Sequence, residues 1–239
     1  MTSRVYYFER VASTMDVIHE LAERGAEAGT MVVAGEQLQG RGSRGRPWHS
    51  PPGGLWLSGL FRPPSVGGLE VISLRVGLAV AGAIDRFVSP PVRLKWPNDL
   101  MLNGRKLGGI LCEARWQGSD LGWIAVGVGL NVRNPAASEL RGSAIALAGV
   151  RPEITENELL EPVVEALRTL DLRAQRLSSL ELEAFAARSW LDGREISEPL
   201  AGVVTGLGED GTLRVRTVEG SQVSLRHGSV ELAGVSHIR

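Results

Sequence analysis

Residues 92–132 read VRLKWPNDLMLNGRKLGGILCEARWQGSDLGWIAVGVGLNV, and this stretch decides the fold class. Three β-rich runs, Val92 to Trp96, Leu107 to Trp116 and Gly122 to Val132, are separated by polar or glycine-bearing connections at Asn103-Gly104 and Gln117 to Asp120. That punctuation predicts antiparallel hairpins. Pro97 lacks an N–H and biases Trp96 toward extended backbone, so the first run should stop and present Asn98 and Asp99 in a turn. Lys106 enters an apolar run beside Gly108 and Gly109. An ammonium there is costly unless it meets something negative, and the glycines clear room for a ligand against the backbone. Gly127 and Gly129 fall on one face of their strand and leave a groove, a pattern that tight packing of a helix over the sheet explains equally well.

Outward from this stretch, Val5 to Phe8 reads as an opening strand. Ser13-Thr14-Met15-Asp16 reads as a capping-box variant ahead of a helix that ends at Gly25 to Gly29. Met31 to Ala34 and Leu55 to Phe61 are strand-like, and Leu69 to Val88 is an almost uncharged helix. A helix capped by Thr155 and Glu158 follows, which Pro162 should kink or delay, and then another over Leu180 to Trp190. From about residue 193 the pattern becomes short strands and tight turns: Leu200 to Leu207, Thr212 to Val218, Ser221 to Arg226 and Ser229 to Leu232. The expected architecture is an α+β domain over residues 1–192, a mixed sheet with helices, and a small C-terminal β-barrel over 193–239.

The 26 basic residues are 24 Arg and only two Lys, Lys95 and Lys106, both inside the opening stretch. Arginine serves wherever a solvated charge suffices, whereas these positions call for a compact ammonium on a flexible stem. Chance in an arginine-rich composition gives the same clustering.

Between Gln37 and Gly54 the chain is dense in Gly, Arg and Pro, contains no acid and lacks apolar periodicity. Gly40-Arg41-Gly42-Ser43-Arg44-Gly45 satisfies the dinucleotide pattern G-x-G-x-x-G, but Arg46-Pro47-Trp48-His49-Ser50-Pro51-Pro52 follows where a phosphate-facing helix must start. What remains is a loop whose backbone N–H groups and guanidiniums suit an anionic ligand; a solvated loop and a nucleic-acid segment are the alternatives.

Composition excludes other classes. With 239 residues, 43% of them hydrophobic, and a net charge of −1, the chain is an ordinary soluble protein with no basic surface suited to tracking nucleic acid. It has neither a secretory start nor a membrane-length apolar run, and one cysteine, Cys112, forbids an internal disulfide, so the expected address is the cytoplasm. The four histidines, His19, His49, His227 and His237, lack metal-site spacing.

Together these segments resemble the biotin protein ligases, which attach biotin to a lysine of a carrier domain. The resemblance runs from Ser13 to Asn131 in matching order: Ser13-Thr14, the Gly-Arg loop ending in Trp48, Lys95 to Asp99, Arg105 to Leu111, and Gly127 to Asn131. It implies a class II synthetase-like catalytic fold followed by an SH3-like barrel, here with a shortened first strand. The implied chemistry is ATP-dependent: biotinyl-AMP forms first, and biotin then passes to a biotin carboxyl carrier protein of a biotin-dependent carboxylase. By resemblance, Ser13, Thr14, Gln37, Gly40, Arg41, Lys106, Gly109 and Gly127 would surround biotin. Arg44, Arg46, Trp48, Asn98 and Asn131 would contact ATP, and Lys106, Arg41, Asp99 and Lys95 would carry catalysis, with Mg²⁺ accompanying the phosphates.

Ser43 stands where the family's loop carries arginine, and Arg44 is expected to rotate inward in partial compensation. Only twelve residues precede Ser13, so the helix-turn-helix module of bifunctional members, and with it sequence-specific DNA binding, is not expected. Membrane association is not expected, and a homodimer is left open. Lipoate attachment, which uses a related fold and the same two-step logic, is the nearest rival; a nucleic-acid-binding module using the arginine loop and the barrel is the rival from another class.

Overall fold

The computed structural model describes residues 4–63, 68–135 and 142–234, so His237 lies outside the described residues. Seven strands build the first sheet: β1 (Val5–Val11), β2 (Met31–Gln37), β3 (Leu55–Phe61), β4 (Arg93–Lys95), β5 (Asp99–Leu102), β6 (Arg105–Gln117) and β7 (Asp120–Leu130). Their spatial order is β1-β2-β3-β7-β6-β5-β4. The pair β1 and β2 is parallel, as its crossover through α1 (Thr14–Glu23) requires, and every other neighbouring pair is antiparallel. The mixed sheet and the hairpins agree with the sequence. Asn103 and Gly104, both at positive φ, close the two-residue β5–β6 turn.

One boundary differs. Asp99 is not in the turn but opens β5, opposite Lys95 on one side and Gly109 on the other. The reason is a reciprocal clamp: Asn98 Nδ2 donates to the Ile110 carbonyl at 2.7 Å, and the Ile110 N–H donates to the Asn98 carbonyl at 2.9 Å. The chain is pinned into the sheet one residue earlier than Pro97 alone suggests.

Alternation along β7 sorts the molecule into layers. Ile124, Val126, Val128 and Leu130 face a core shared with Val76, Val80 and Ile84 of α2 (Leu69–Asp85) and with Leu159, Val163 and Leu167 of α3 (Glu156–Arg168). Trp123 and Ala125 face the opposite way, toward Met15, Ile18 and Ala22 of α1. Along this second face β7 shrinks from Trp123 through Ala125 to Gly127 and Gly129, which opens space beyond the helix.

The helices carry four corrections. Pro162 neither delays nor breaks α3, which starts at Glu156 behind the Thr155–Glu158 capping box and runs through the proline, its buried leucines and valines holding it to the core. Helix α2 ends at Asp85 rather than Val88, because the Asp85 carboxylate accepts from the Val92 N–H and pairs with Arg188. Asp16 completes no capping box: Ser13 Oγ caps α1 by accepting from the Met15 N–H at 3.3 Å, and Asp16 pairs with Arg41 instead. Helix α4 (Ser179–Arg188) stops two residues before Trp190, whose N–H donates to the Leu94 carbonyl.

The second sheet comprises β8 (Glu195–Glu198), β9 (Gly202–Leu207), β10 (Leu213–Thr217), β11 (Gln222–Leu225) and β12 (Glu231–Leu232), all antiparallel in the order β11-β10-β9-β8-β12. Among the described residues no pairing joins β11 to β12, so the expected barrel is an open, SH3-like sheet. Strand β8 escaped the sequence reading because it buries only Ile196. Ile196, Val204, Leu213, Val215 and Val230 belong to the same core as the first sheet, and Trp96 Nε1 donates to the Gly211 carbonyl at 2.9 Å. No helix among the described residues is long and apolar enough to cross a membrane.

Candidate active site

The groove opened by Gly127 and Gly129 is a cavity of about 310 Å³, closed on its far side by the arginine loop. Its floor is strand backbone. Gly109 of β6 lies opposite Gly129 and Leu111 opposite Gly127, so three small residues face the cavity together. A methyl group on Gly127 would lie 2.9 Å from Met15 Sδ, and one on Gly129 would lie 2.6 Å from Trp48 Nε1. The glycines therefore serve a close approach, not a backbone conformation.

Lys106 reaches this face through a register shift. Leu100 pairs with Gly108 but Met101 pairs with Lys106, so Leu107 is an extra residue on β6. A one-residue bulge reverses which way the following side chain points. It brings Lys106 to the side of Gly109, where Nζ sits 2.5 Å from Asp99 Oδ1 and 5.1 Å from the centroid of the Trp48 ring. The lysine pair is thus not scattered. Lys95, at the end of β4, feels Asp99, Lys106, Glu231 and Arg46; burial is the largest influence and lowers its pKa, with Asp99 and Glu231 opposing.

The end under α1 is polar and internally satisfied. Gln37 Oε1 accepts from the Thr14 N–H at 2.8 Å and from Thr14 Oγ1 at 3.0 Å, while its Nε2 donates to Ser50 Oγ at 2.8 Å. Ser58 Oγ donates to Thr14 Oγ1 at 2.8 Å. This network fixes which end of the Gln37 amide faces which neighbour.

The loop from residue 38 to 54 folds back on itself. The Trp48 N–H donates to the Gly40 carbonyl, Arg41 bridges Pro47, and a single 3-10 turn spans Ser43–Gly45. Gly40 is needed at that crossing, since a Cβ would meet the Trp48 carbonyl at 2.4 Å. Trp48 Nε1 is buried with no hydrogen-bond partner among the described residues. A buried donor without an acceptor is costly, and a ligand in this cavity can relieve it.

Of the residues expected at the site, Ser13, Thr14, Gln37, Arg41, Arg46, Trp48, Asn98, Asp99, Lys106, Gly109 and Gly127 line the one cavity. Lys95 stands just behind Asp99, Gly40 shapes the loop, and Asn131 Oδ1 accepts from Asn134 Nδ2 at 3.0 Å at the end of β7. Arg44 departs from expectation. At φ 61° its side chain leaves the cavity and donates to Ser229 Oγ at 2.7 Å, so it does not rotate inward to replace the missing arginine at position 43.

Residues 7–131, just over half of the chain, match the Biotin/lipoate A/B protein ligase family. The chain belongs to this family. It is 32% identical over 216 residues to the biotin–[acetyl-CoA-carboxylase] ligase of Paracoccus denitrificans, covering 83% of this chain and 89% of that one. Its fold resembles the biotin protein ligase of Aquifex aeolicus in complex with biotin and ATP, with a TM-score of 0.80, 28% identity and coverage of 97% and 99%. It also resembles the Leishmania major biotin protein ligase in complex with biotinyl-5-AMP, with a TM-score of 0.64, 25% identity and coverage of 95% and 100%.

Several cavity residues of this ligase-family chain escaped the sequence reading. Met15, Leu57, Ile110 and Val128 are ordinary core types whose position only the fold reveals; Ser50 and Ser58, outside the lining, act by holding Gln37 and Thr14. Cys112, expected in the core, is partly buried and packs against it; burial raises its thiol to about 12 and leaves it protonated at neutral pH.

Proposed function

We propose that the protein is an ATP-dependent biotin–protein ligase that forms biotinyl-5′-AMP and then passes biotin to a lysine of a biotin carboxyl carrier protein. One observation carries this reading. Cations from two distant stretches, Arg41 and Arg46 on the loop and Lys106 on β6, border one cavity whose other end is neutral and rich in hydrogen-bonding groups. A compact acid with a polar, uncharged head and a nucleotide anion suit such a site. Biotin has that head in its ureido ring, whereas the dithiolane of lipoate has no use for Thr14, Gln37 and Ser13. A nucleic-acid role suits the loop less well, because Arg41 and Arg46 border the cavity and Arg41 is paired with acids.

In the first step a carboxylate oxygen of biotin attacks the α-phosphorus of ATP, the bond to the β-phosphate oxygen breaks, and pyrophosphate leaves. Two anions must approach, so positioning and charge stabilisation dominate the barrier. Lys106 and Arg41 would hold the carboxylate and the developing phosphoryl charge. Arg46, Lys95 and Asn98 would face the phosphates, while Trp48 would cover the adenine and Asn131 would touch the nucleotide. Ser13, Thr14 and Gln37 would take the ureido ring, with the backbone of Gly109 and Gly127 beside it.

Among the described residues no three His, Cys, Asp or Glu side chains gather into a metal site. That fits Mg²⁺ arriving with ATP, which needs one or two carboxylates besides phosphates and water, and Asp99 would hold it. Bound there, the ion would neutralise phosphate charge. In the second step the carrier lysine's amine attacks the acyl carbon and AMP leaves. A division of labour near residue 193, between a catalytic unit and the C-terminal sheet, belongs to the same proposal.

The test is direct. The protein is supplied with ATP, Mg²⁺ and either biotin or lipoate, and the acyl-adenylate is identified by mass. Biotinyl-AMP from the wild type and none from Lys106→Met is expected; a lipoyl adenylate, or an active Lys106→Met, overturns the assignment.

A further inference from the structure

On the face of the sheet that carries the cavity, a chain of polar groups runs under α1 and ends at Arg41. His19 is buried between Met15 and Ala22, where a polar side chain must be paired. Trp123 Nε1 donates to its Nδ1 at 2.9 Å. An indole nitrogen only donates, so His19 Nδ1 must keep its lone pair, and in the neutral ring the proton sits on Nε2. That Nε2–H lies 2.8 Å from Glu113 Oε2 and donates to it.

Glu113 stands on β6 opposite Ala125, on the same strand face as Gly109 and Leu111. The bond from His19 is the largest influence holding its carboxyl below the ordinary range; burial opposes it, and Arg41 and Arg115 assist. Its second oxygen, Oε1, lies 3.8 Å from Arg41 Nε, while Arg41 Nη1 is 2.5 Å from Asp16 Oδ1. Two carboxylates on rigid elements, one on the helix and one on the strand, therefore bracket an arginine that belongs to a glycine-rich loop.

We propose that Glu113, fixed by the His19–Trp123 pair, is the positioning residue that pre-orients Arg41 for the carboxylate of the bound acid. The role rests on the reading of Arg41 given above. Asp16 is half-exposed, so its pairing is screened by water, whereas Glu113 is more enclosed and anchored from behind. Immobilising a long side chain on binding costs about 0.5–1.5 kcal/mol, and an arginine already in place avoids much of that cost. Glu113 itself touches no reacting atom.

The experiment is a double-mutant cycle read by biotin calorimetry, with adenylate formation followed in parallel, on wild type, Glu113→Gln, Arg41→Met and the double variant. Glu113→Gln is expected to weaken biotin binding roughly tenfold, the upper end of that saving, and to leave KM for ATP within about twofold. In the Arg41→Met background Glu113→Gln should add nothing, which a merely structural role would not produce. Glu113→Asp keeps the charge and should recover part of the loss, and it guards against a folding defect in the Gln variant. Additive losses in the double variant, or unchanged biotin affinity in both Glu113 variants, overturn the proposal while leaving the ligase reading intact. A wild type that neither binds biotin nor makes an adenylate overturns both.

Discussion

Lys106 and Asp99 form an ion pair of 2.5 Å across strands β6 and β5, on the lining of the cavity proposed as the active site. Under that proposal the lysine is not idle before substrate arrives; a carboxylate of the protein occupies the place an anion would take. Asp99→Asn should tighten biotin a few-fold when no nucleotide is present, about 0.5–1 kcal/mol for a partly exposed pair. It should also slow adenylate formation, since the group proposed to hold Mg²⁺ is gone. Biotin titrations with and without MgATP check both halves.

Gly129→Ala and Gly108→Ala should fail for different reasons. The first places a methyl 2.6 Å from Trp48 Nε1, so the indole must shift, and KM for ATP should rise about tenfold or more with little change in biotin binding. The second places one 2.6 Å from the Gly129 carbonyl, which is backbone and cannot yield. It should cost about 1–3 kcal/mol of stability, seen as a lower urea midpoint.

Lys95 has its pKa lowered mainly by burial, so the folded protein resists the ammonium more than the unfolded chain does. Folding stability should then rise with pH between the lowered pKa and the ordinary lysine value. Lys95→Met should melt higher than wild type at neutral pH, by a few degrees, since about 1 kcal/mol moves a chain of this size by roughly 2–4 °C. The same variant should lose adenylate formation by about a hundredfold. A melt and a pyrophosphate-release assay on one preparation check the trade.

Acid should loosen the bracket around Arg41. Glu113 has a folded pKa below its unfolded one, first because His19 donates to it. Its stabilising contribution is full above the unfolded value, about 4.3, and disappears as pH falls through the lower folded value. In urea melts, Glu113→Gln should be less stable than wild type at pH 7, and the gap should close progressively below about pH 4.

Arg44 is held to Ser229 at 2.7 Å and cannot serve the cavity from there. Installing arginine at Ser43, which does border the cavity, should slow escape of the adenylate by about 10–150-fold through one charge-assisted hydrogen bond. Rapid filtration of preformed adenylate measures it; an unchanged rate means Ser43 removes nothing important.

The sequence made some features legible because they are local. The Asn103-Gly104 turn, the Thr155 cap and the alternating glycines of β7 each act through a few neighbouring residues, and each stands as read. The Ser178–Glu181 capping box was equally local and was overlooked. His19 and Glu113 could not be joined from sequence, since 94 positions separate them and neither has a motif; only the packing of α1 across β2, β3 and β7, beside β6, brings them together. Arg44 departs from expectation for a similar reason, its partner lying 185 positions away in the connection between β11 and β12. The open C-terminal sheet reflects strands too short to announce their own pairing, β12 being two residues long.

The extra residue at Leu107 makes the reactive geometry a matter of counting as well as of chemistry. Taking Leu107 into the ladder opposite Met101, with no letter of the chain changed, would by parity turn the ammonium to the helix-packed side of the sheet. A catalogue of sequence letters would score such a conformer as intact, although its cavity would have lost the cation proposed to hold the acid.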